Sequence, residues 1–338
     1  MKILAFETSC DDTSIALFED DKLIFMDTAS QIKIHNETWW VVPEVAAREH
    51  ANSIFSVLDN VLSSTSTDLN EIDFIWVTIN PGLLPSLLTW TTVAWTMSSV
   101  LNIPIIPINH IEAHIFSNFL DRDESEIKFP LACLTVSWGH NDIYLMNSMW
   151  ELEKLWSSSD DAWWEAFDKA AKMMWLWYPG WPIISKLSKE YEDLWWKSTN
   201  LFPRVWLVKR EFNFSFSWLK SSVKREVDKR IAEKWELTID DKREISYEFE
   251  NAVTEVLSWK LIEAANQHSL KTIMLAWWVS ANNKLKDSIS TLALKKWLNF
   301  IYPTKLTYCM DNAAMVWILT YYKIKYNNYT HKIWAVKM

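Results

Sequence analysis

The sequence predicts an α/β protein of two lobes, each built on the same strand-based unit. Two observations carry this expectation. Lys2–Phe6 and Thr13–Phe18 are strand-like and joined by the polar turn Thr8-Ser9-Cys10-Asp11-Asp12. The arrangement recurs at Leu131–Val136 and Ile143–Met146, joined by Ser137-Trp138-Gly139-His140-Asn141. The two units open the two halves of a chain of 338 residues, a length that favours two domains over one core. Duplicated α/β lobes facing a central cleft are therefore expected, with residues 1–128 and about 308–338 in the first lobe and 129–307 in the second.

The elements follow in order. Pro43–Leu62 is helix-like, Phe74–Ile79 a strand, and Leu84–Leu101 an amphipathic helix. A short strand, Ile103–Ile108, leads to a helix over His110–Phe119, with Asn109 placed as its cap. Helices are predicted over Asp161–Met174, Pro182–Trp195, Trp218–Trp235 and Ser246–His268. Strand Thr272–Leu275 then enters a helix from about Ala281, and an extended Phe300–Tyr302 precedes the helix Asn312–Tyr322. No low-complexity linker separates the lobes, so that last helix is expected to return to the first.

Composition narrows the function classes. No stretch reaches the ~18–20 uncharged apolar residues of a membrane helix. The start lacks the basic and apolar regions of a signal peptide. Cys10, Cys133 and Cys309 are widely spaced with no CxxC pair, which points to a reducing, cytoplasmic setting and away from disulfides or structural zinc. The net charge of −9 repels nucleic acid overall, so any RNA contact must come from a local basic patch or from partner proteins. The densest basic stretch is Lys209, Arg210, Lys220, Lys224, Arg225, Lys229 and Arg230; interspersed Glu211, Glu226 and Asp228 equally suit a solvated helix face.

Glycine occurs 3 times and tryptophan 24 times. Together they make about 8% of the chain, close to an ordinary glycine content of about 7%. The tryptophans also stand at reversals. Trp39 and Trp40 precede Val41-Val42-Pro43, Trp138 precedes Gly139, Trp181 follows Gly180, and Trp277-Trp278 join a strand to a helix. Such places call for positive φ or close backbone approach. The expectation is a source that reads UGA as glycine, with those codons rendered here as tryptophan.

Several constellations can carry chemistry. His110 and His114 stand four residues apart on a predicted helix, which aims both imidazoles at one cation. Their His-Ile-Glu-Ala-His lacks the glutamate placement of HExxH, so a metalloprotease reading fails. With Asp311, two histidines and a carboxylate suit iron or zinc, although Asp311 alone equally suits a helix cap. Asp11 and Asp12 can orient a nucleophile, act as base, organise a cation or sit in a solvated turn. Cys10 has no visible base partner and is taken as structural. Ser137–His140, read with glycine at 138, is either an anion nest or a simple hairpin turn. Trp277 to Asn282, read as Gly-Gly-Val-Ser-Ala-Asn, can let an adenine lie on backbone while Asn282 bonds the nucleoside, with Ser280 also suited to capping. Asp168 can bind a hydroxyl or amine of the substrate, or be a surface aspartate.

Taken together, these segments resemble the TsaD/Gcp family of tRNA threonylcarbamoyladenosine transferases. The matching stretches are Glu-Thr-Ser-Cys-Asp-Asp-Thr at 7–13, Val-Val-Pro-Glu at 41–44, Asn-His-Ile-Glu-Ala-His at 109–114 and Val-Ser-Trp-Gly-His at 136–140. They continue with Asp-Asp-Ala-Trp-Trp-Glu-Ala-Phe-Asp-Lys at 160–169, Tyr-Pro-Gly-Trp-Pro at 178–182 and Phe-Ser-Phe-Ser-Trp-Leu-Lys at 214–220. Trp-Trp-Val-Ser-Ala-Asn at 277–282 and Asp-Asn-Ala-Ala-Met at 311–315 complete the series in family order. Most conspicuous mismatches put tryptophan where the family has glycine.

The resemblance implies the two-lobed actin/Hsp70/sugar-kinase-like fold, a duplicated RNase H-like unit. It implies transfer of threonylcarbamoyl from threonylcarbamoyl-AMP to N6 of an adenosine, position 37, in tRNA. It assigns His110, His114 and Asp311 as ligands of one divalent metal, Fe2+ or alternatively Zn2+. Thr135, Val136, Ser137, Trp138, Gly139, Asp168, Trp181 (as glycine) and Asn282 fall at substrate-binding positions, and Asp11 and Asp12 at catalytic ones. A TsaB-like paralogue and a TsaE-like ATPase are the implied partners. Asp12 departs from the usual glutamate and Pro85 from a usual glycine. Two rivals share the fold. A nucleotide-gated ATPase or kinase would hold metal through ATP and need neither histidine, and an adenylate-binding scaffold would bind without turnover.

Overall fold

The computed structural model describes residues 1–20, 22–35, 41–136, 141–158, 163–177, 179–194, 197–204 and 216–326. The chain divides into two compact units, Met1–Asp123 with Pro303–Met338, and Glu124–Tyr302. The first unit opens with β1 (Lys2–Glu7), β2 (Asp12–Glu19) and β3 (Lys22–Ser30), followed by α1 (Ile32–His35) and α2 (Pro43–Thr65). Next come β4 (Phe74–Asn80), α3 (Leu84–Leu101), β5 (Ile105–Asn109) and α4 (His110–Phe116). Its sheet runs β3-β2-β1-β4-β5, antiparallel as far as β1 and parallel from β1 to β5.

Alternation along β1 explains how this sheet is buried on both faces. Leu4 and Phe6 enter a core with Ile54 and Val57 of α2 and Trp90 of α3. Ile3, Ala5 and Glu7 point to the opposite face by the period of two. There Phe18, the cross-strand partner of Ile3, stacks on Trp317 with ring centroids 4.6 Å apart. Glu7 is thus the polar end of an otherwise apolar row.

The second unit repeats the plan. It contains β6 (Leu131–Val136), β7 (Asn141–Ser148), β8 (Glu151–Trp156), α5 (Trp163–Met173), α6 (Gly180–Asp193), α7 (Ser217–Lys234), α8 (Ile239–Gln267), β9 (Thr272–Ala276), α9 (Asn283–Lys296) and β10 (Asn299–Ile301). Its sheet order, β10-β9-β6-β7-β8, has the same pattern of antiparallel and parallel pairs as the first. Ala132, Leu134 and Val136 of β6 pack with Phe249 and Leu257 of α8. The chain then returns to the first unit through α10 (Ala313–Lys325), which carries Trp317. The two sheets bear out the duplicated α/β reading.

Local residues set several helix ends. Pro43 occupies the first turn of α2, and Ser66 closes it in the left-handed region. Pro85 sits in the first turn of α3, where its missing N–H costs nothing, so the departure from glycine there only shapes helix entry. The helix expected from Ser246 starts two turns earlier, at Ile239, because Thr238 and Asp241 form a capping box. The helix expected over His110–Phe119 ends at Phe116 and tightens into a 3-10 turn, Ser117–Phe119. The helix expected from Ala281 is a 3-10 turn, Trp278–Ala281, followed by α9 capped by Asn282. Among the described residues, no helix is long and apolar enough to cross a membrane.

Asp241 also binds α7 to α8. Its carboxylate accepts hydrogen bonds from Arg230 and Lys234, both at 2.8 Å, and from the Thr238 amide and hydroxyl. Arg230 further pairs with Glu226 and Glu244 and is therefore a structural cation, withdrawn from the basic stretch expected to meet phosphates. Lys224 pairs with Asp228, and Lys209 and Arg210 lie outside the described residues. Burial pushes the Asp241 carboxyl up, but the bonds from Lys234, Thr238 and Arg230 outweigh it and hold it well below the usual range. A depressed folded value stabilises above the unfolded pKa and stops doing so as pH falls through the folded one. Asp241→Asn should therefore cost about 2–3 kcal/mol at pH 7 in urea denaturation. Its deficit relative to wild type should shrink as pH drops below about 4; a constant deficit down to pH 2 would contradict this account.

Candidate metal and adenylate sites

In the first unit, the polar groups collect at the carboxyl ends of the parallel strands, where open α/β sheets place ligands. β1 ends in Glu7, β4 carries Thr78, and β5 runs directly into α4 and His110. Asn109 caps α4 by accepting the Glu112 amide at 3.1 Å, as expected, which fixes where His110 enters the helix. Asn312 caps α10 by accepting the Met315 amide at 3.1 Å. The capping role that Asp311 could have filled is thus taken by its neighbour, leaving the Asp311 carboxylate for the histidines.

His110 and His114 bring their Nε2 atoms to 3.2 Å of each other. Asp311 Oδ1 lies 2.9 Å from His114 Nε2 and 3.7 Å from His110 Nε2. One ligand atom from each residue falls within 4.8 Å of the others, and all three residues are buried. Two imidazoles and one carboxylate at this spacing fit a divalent metal ion. The surroundings favour one too, since Glu7, Asp11 and Asp12 are also buried here and the carboxylates repel one another. Burial, reinforced by Asp311, pushes Asp11 up to about 6. Burial and the Asp11 charge push Asp12 to about 7, and its Oδ1 has no hydrogen-bond partner among the described residues.

The histidines respond in opposite directions. Burial lowers both, but the Glu7 and Asp311 carboxylates outweigh it at His110 and raise its pKa. At His114, burial and the neighbouring His110 prevail and lower it to about 4. Glu7, which burial alone would raise, is held below its usual range by His110 and Thr78.

The turn bearing Asp11 and Asp12 is gripped from two sides. The Cys10 carbonyl accepts from His50 Nε2 at 3.0 Å and from the Ser86 hydroxyl at 3.3 Å. The Leu83 amide donates to Ser9 O at 2.7 Å. Gly82 permits that approach, because a Cβ there would lie 2.6 Å from Ser9 O. Burial and the neighbouring carboxylates push the Cys10 thiol well up, which leaves it structural rather than nucleophilic. Nothing in the amino-acid pattern around His50 announces this clamp. Glu7, however, was visible as a carboxylate closing an apolar strand, the mark of a buried polar group with partners.

In the second unit, Thr135 and Val136 are buried at the end of β6, while Ser137, Trp138, Gly139 and His140 lie outside the described residues. Asp168 is on α5 and accepts the Gly180 amide at 2.8 Å. Burial pushes its carboxyl up to about 7, against the bond from Gly180. Asn282 accepts the Leu285 amide at 2.8 Å and donates to Glu250 at 2.7 Å, so it is both a cap and an oriented amide. Trp181 and Trp278 both pack on Trp164, with ring centroids 5.7 and 5.5 Å away. Ser185 and Glu250, which meet Asn282, had no signal in the sequence. At Gly180, α6 lies tight against α5, since an added Cβ would lie 2.7 Å from Ala171 Cβ and 2.8 Å from Phe167 O. Gly180→Ala should destabilise by about 1–3 kcal/mol in urea denaturation; a neutral effect would mean α6 is free to shift outward.

Comparison with known proteins fits this geometry. The family model described as TsaD, tRNA N6-adenosine threonylcarbamoyltransferase, matches residues 22–317. A protein of that name from Persephonella marina is 40% identical over 329 residues, covering 96% of this chain and 91% of its own. One from Staphylococcus epidermidis is 36% identical over 321 residues, covering 95% and 91%. Among solved structures, the activator of the 2-hydroxyisocaproyl-CoA dehydratase from Clostridium difficile, with bound ADPNP, aligns at a TM-score of 0.51 with 11% identity. That alignment covers 99% of this chain and 100% of the activator, and it speaks to the fold alone. With its sheets, its buried triad and relatives alike over nearly their whole length, the chain belongs to the TsaD family of tRNA N6-adenosine threonylcarbamoyltransferases.

Proposed function

We propose that the chain transfers threonylcarbamoyl from threonylcarbamoyl-AMP to N6 of adenosine 37 of tRNA in the cytoplasm. In this reading a TsaB-like paralogue and a TsaE-like ATPase assist it. The observation that supports it most is the buried His110–His114–Asp311 triad beside Asp11 and Asp12, in a chain of this family. An ATPase or kinase holding metal through nucleotide phosphates has no use for two converging buried imidazoles.

In the reaction, the N6 nitrogen forms a bond to the carbamoyl carbon, the bond from that carbon to the phosphate oxygen breaks, and AMP leaves with the electron pair. The N6 proton must go to a base. Asp11 is our choice, since burial raises its pKa to about 6, near where a base of this kind works best. Asp12 shares the turn, and burial with the Asp11 charge raises it to about 7, which favours its protonated form. Asp168 and Asn282, together with Thr135, Val136, Ser137, Trp138, Gly139 and Trp181, are proposed to bind the adenylate. His110, His114 and Asp311 would hold Fe2+, which supplies Lewis acidity toward phosphate or carbonyl oxygen when bound. The global charge opposes RNA, so partner surfaces or basic residues such as the half-buried Lys220 and the exposed Lys229 are proposed to meet tRNA.

Asp11→Asn preserves shape and removes charge. Transfer of labelled threonylcarbamoyl from purified adenylate to unmodified tRNA, with the partner subunits present, should fall by roughly 10²–10⁴-fold. Adenylate binding should barely change. Undiminished transfer would remove Asp11 from the mechanism, and binding without any turnover by wild type would favour the scaffold reading.

We also propose that many of these tryptophans are glycine in the native polypeptide, including those at 138, 181 and 277. Trp175, Trp235, Trp277 and Trp297 all have positive φ. Trp277, at φ 76° and ψ −169°, occupies a region that is essentially reserved for glycine. Trp235 and Trp297 close α7 and α9 in the left-handed region, as glycine commonly does. The indole nitrogens of Trp76, Trp90, Trp163, Trp181, Trp278 and Trp317 are buried with no hydrogen-bond partner among the described residues, at about 1–3 kcal/mol each. Mass spectrometry of protein from its own source should find glycine at 277 and 297. Tryptophan in those peptides would end the proposal.

A further inference from the structure

Glu7 is fully buried and accepts three hydrogen bonds. The Ser9 amide donates to Oε1 at 2.7 Å, and the Thr78 hydroxyl donates to Oε2 at 2.6 Å. His110 Nδ1 lies 3.1 Å from the same Oε2. An ionised carboxylate can only accept, so this contact requires the proton on Nδ1. The lone pair of His110 then resides on Nε2, the atom 3.2 Å from His114 Nε2 and 3.7 Å from Asp311 Oδ1. The Ser9 hydroxyl touches both ring nitrogens, at 3.1 and 3.3 Å, and suits either tautomer, so it does not make the choice.

We propose that Glu7 is a positioning residue for the metal site: through Nδ1 it fixes the tautomer and ring orientation of His110 so that Nε2 is presented to a divalent cation. This rests on the metal reading of His110, His114 and Asp311. Ser9 and Thr78 hold the carboxylate in its turn, so the chain of contacts is Thr78 and Ser9 to Glu7, Glu7 to His110, and His110 to the cation. Every member belongs to the first unit. A glutamine at 7 cannot substitute cleanly. Its NH2 must face either the Ser9 amide, donor against donor, or the Thr78 and His110 side, where it favours the tautomer that blocks Nε2.

The test uses Co2+ as the probe on the full chain. Wild type should bind one Co2+, and Glu7→Gln should bind it about 10–100-fold more weakly with a changed visible spectrum, as is usual when a ligand's outer partner is lost. Thr78→Val removes one of the two bonds that hold the carboxylate while the Ser9 amide still fixes Oε1, so it should weaken Co2+ by less than Glu7→Gln and leave the visible spectrum close to wild type. Nitrogen-15 NMR of zinc-loaded wild type should find His110 protonated at Nδ1 and metal-bound at Nε2, a readout that holds even if Glu7→Gln fails to fold. Wild-type affinity in Glu7→Gln, equal weakening by Thr78→Val, or a proton on Nε2 would each overturn the role of Glu7 alone. Absence of Co2+ binding by wild type, or undiminished binding by His114→Ala, would overturn the metal reading and this inference with it.

Discussion

Burying four carboxylates, Glu7, Asp11, Asp12 and Asp311, at one edge of a sheet is the constraint from which the first unit's polar structure follows. A charge removed from water must be neutralised, hydrogen-bonded or protonated. The structure uses all three. Glu7 is saturated by Ser9, Thr78 and His110 and stays ionised, while Asp11 and Asp12 are driven toward protonation. Asp311 is met by two imidazoles; it and Glu7 favour the protonated form of both, a pull that prevails at His110 and is overcome at His114 by burial and the neighbouring His110. The caps, the clamp on Cys10 and the close approach at Gly82 all hold this arrangement in register.

The second unit solves a different problem with the same sheet. At the corresponding strand ends Thr135 faces Asp142, which pairs with Lys154, and Asn282 follows β9. Asn282 illustrates the economy. One carbonyl oxygen caps α9 while the amide is oriented by Glu250, so the residue's direction is settled by the helix it starts. Duplicated topology supplies two sets of strand ends, and in the proposed function divergence of their side chains separates acid and metal chemistry from ligand recognition.

Much of this was legible in the sequence because it rests on local rules. The strand–turn–strand repeats, the His110–His114 spacing and the Asn109 cap each follow from period or side-chain chemistry within a few residues. β3 and β8 were missed because they are edge strands with many exposed or charged positions, so their apolar alternation is weak. The first two turns of α8 were missed because Asp240, Asp241, Lys242, Arg243 and Glu244 look like a solvated run, although Asp241 is buried by its pairing with Arg230. Whether Asp311 or Asn312 would cap α10 was open to sequence reasoning, since both residue types can do it. Only the position of the histidines decides it. The Glu7–Thr78 and Cys10–His50 contacts join distant segments, and nothing local to either residue announces them.

The return of α10 to the first unit has a consequence for how the protein is made. His114 and Asp311 are separated by 197 residues, so a ribosome synthesises the two imidazoles and the whole second unit before the third ligand exists. During that interval Glu7, Asp11 and Asp12 stand at a sheet edge that lacks the helix covering Ile3 and Phe18. The loop to be closed is long, but closure entropy grows only with the logarithm of length, so the delay is one of time rather than of stability. A chain released before residue 311 carries the histidine pair without its carboxylate. The triad is thus assembled only once residue 311 has been made and α10 has packed on the first unit's sheet.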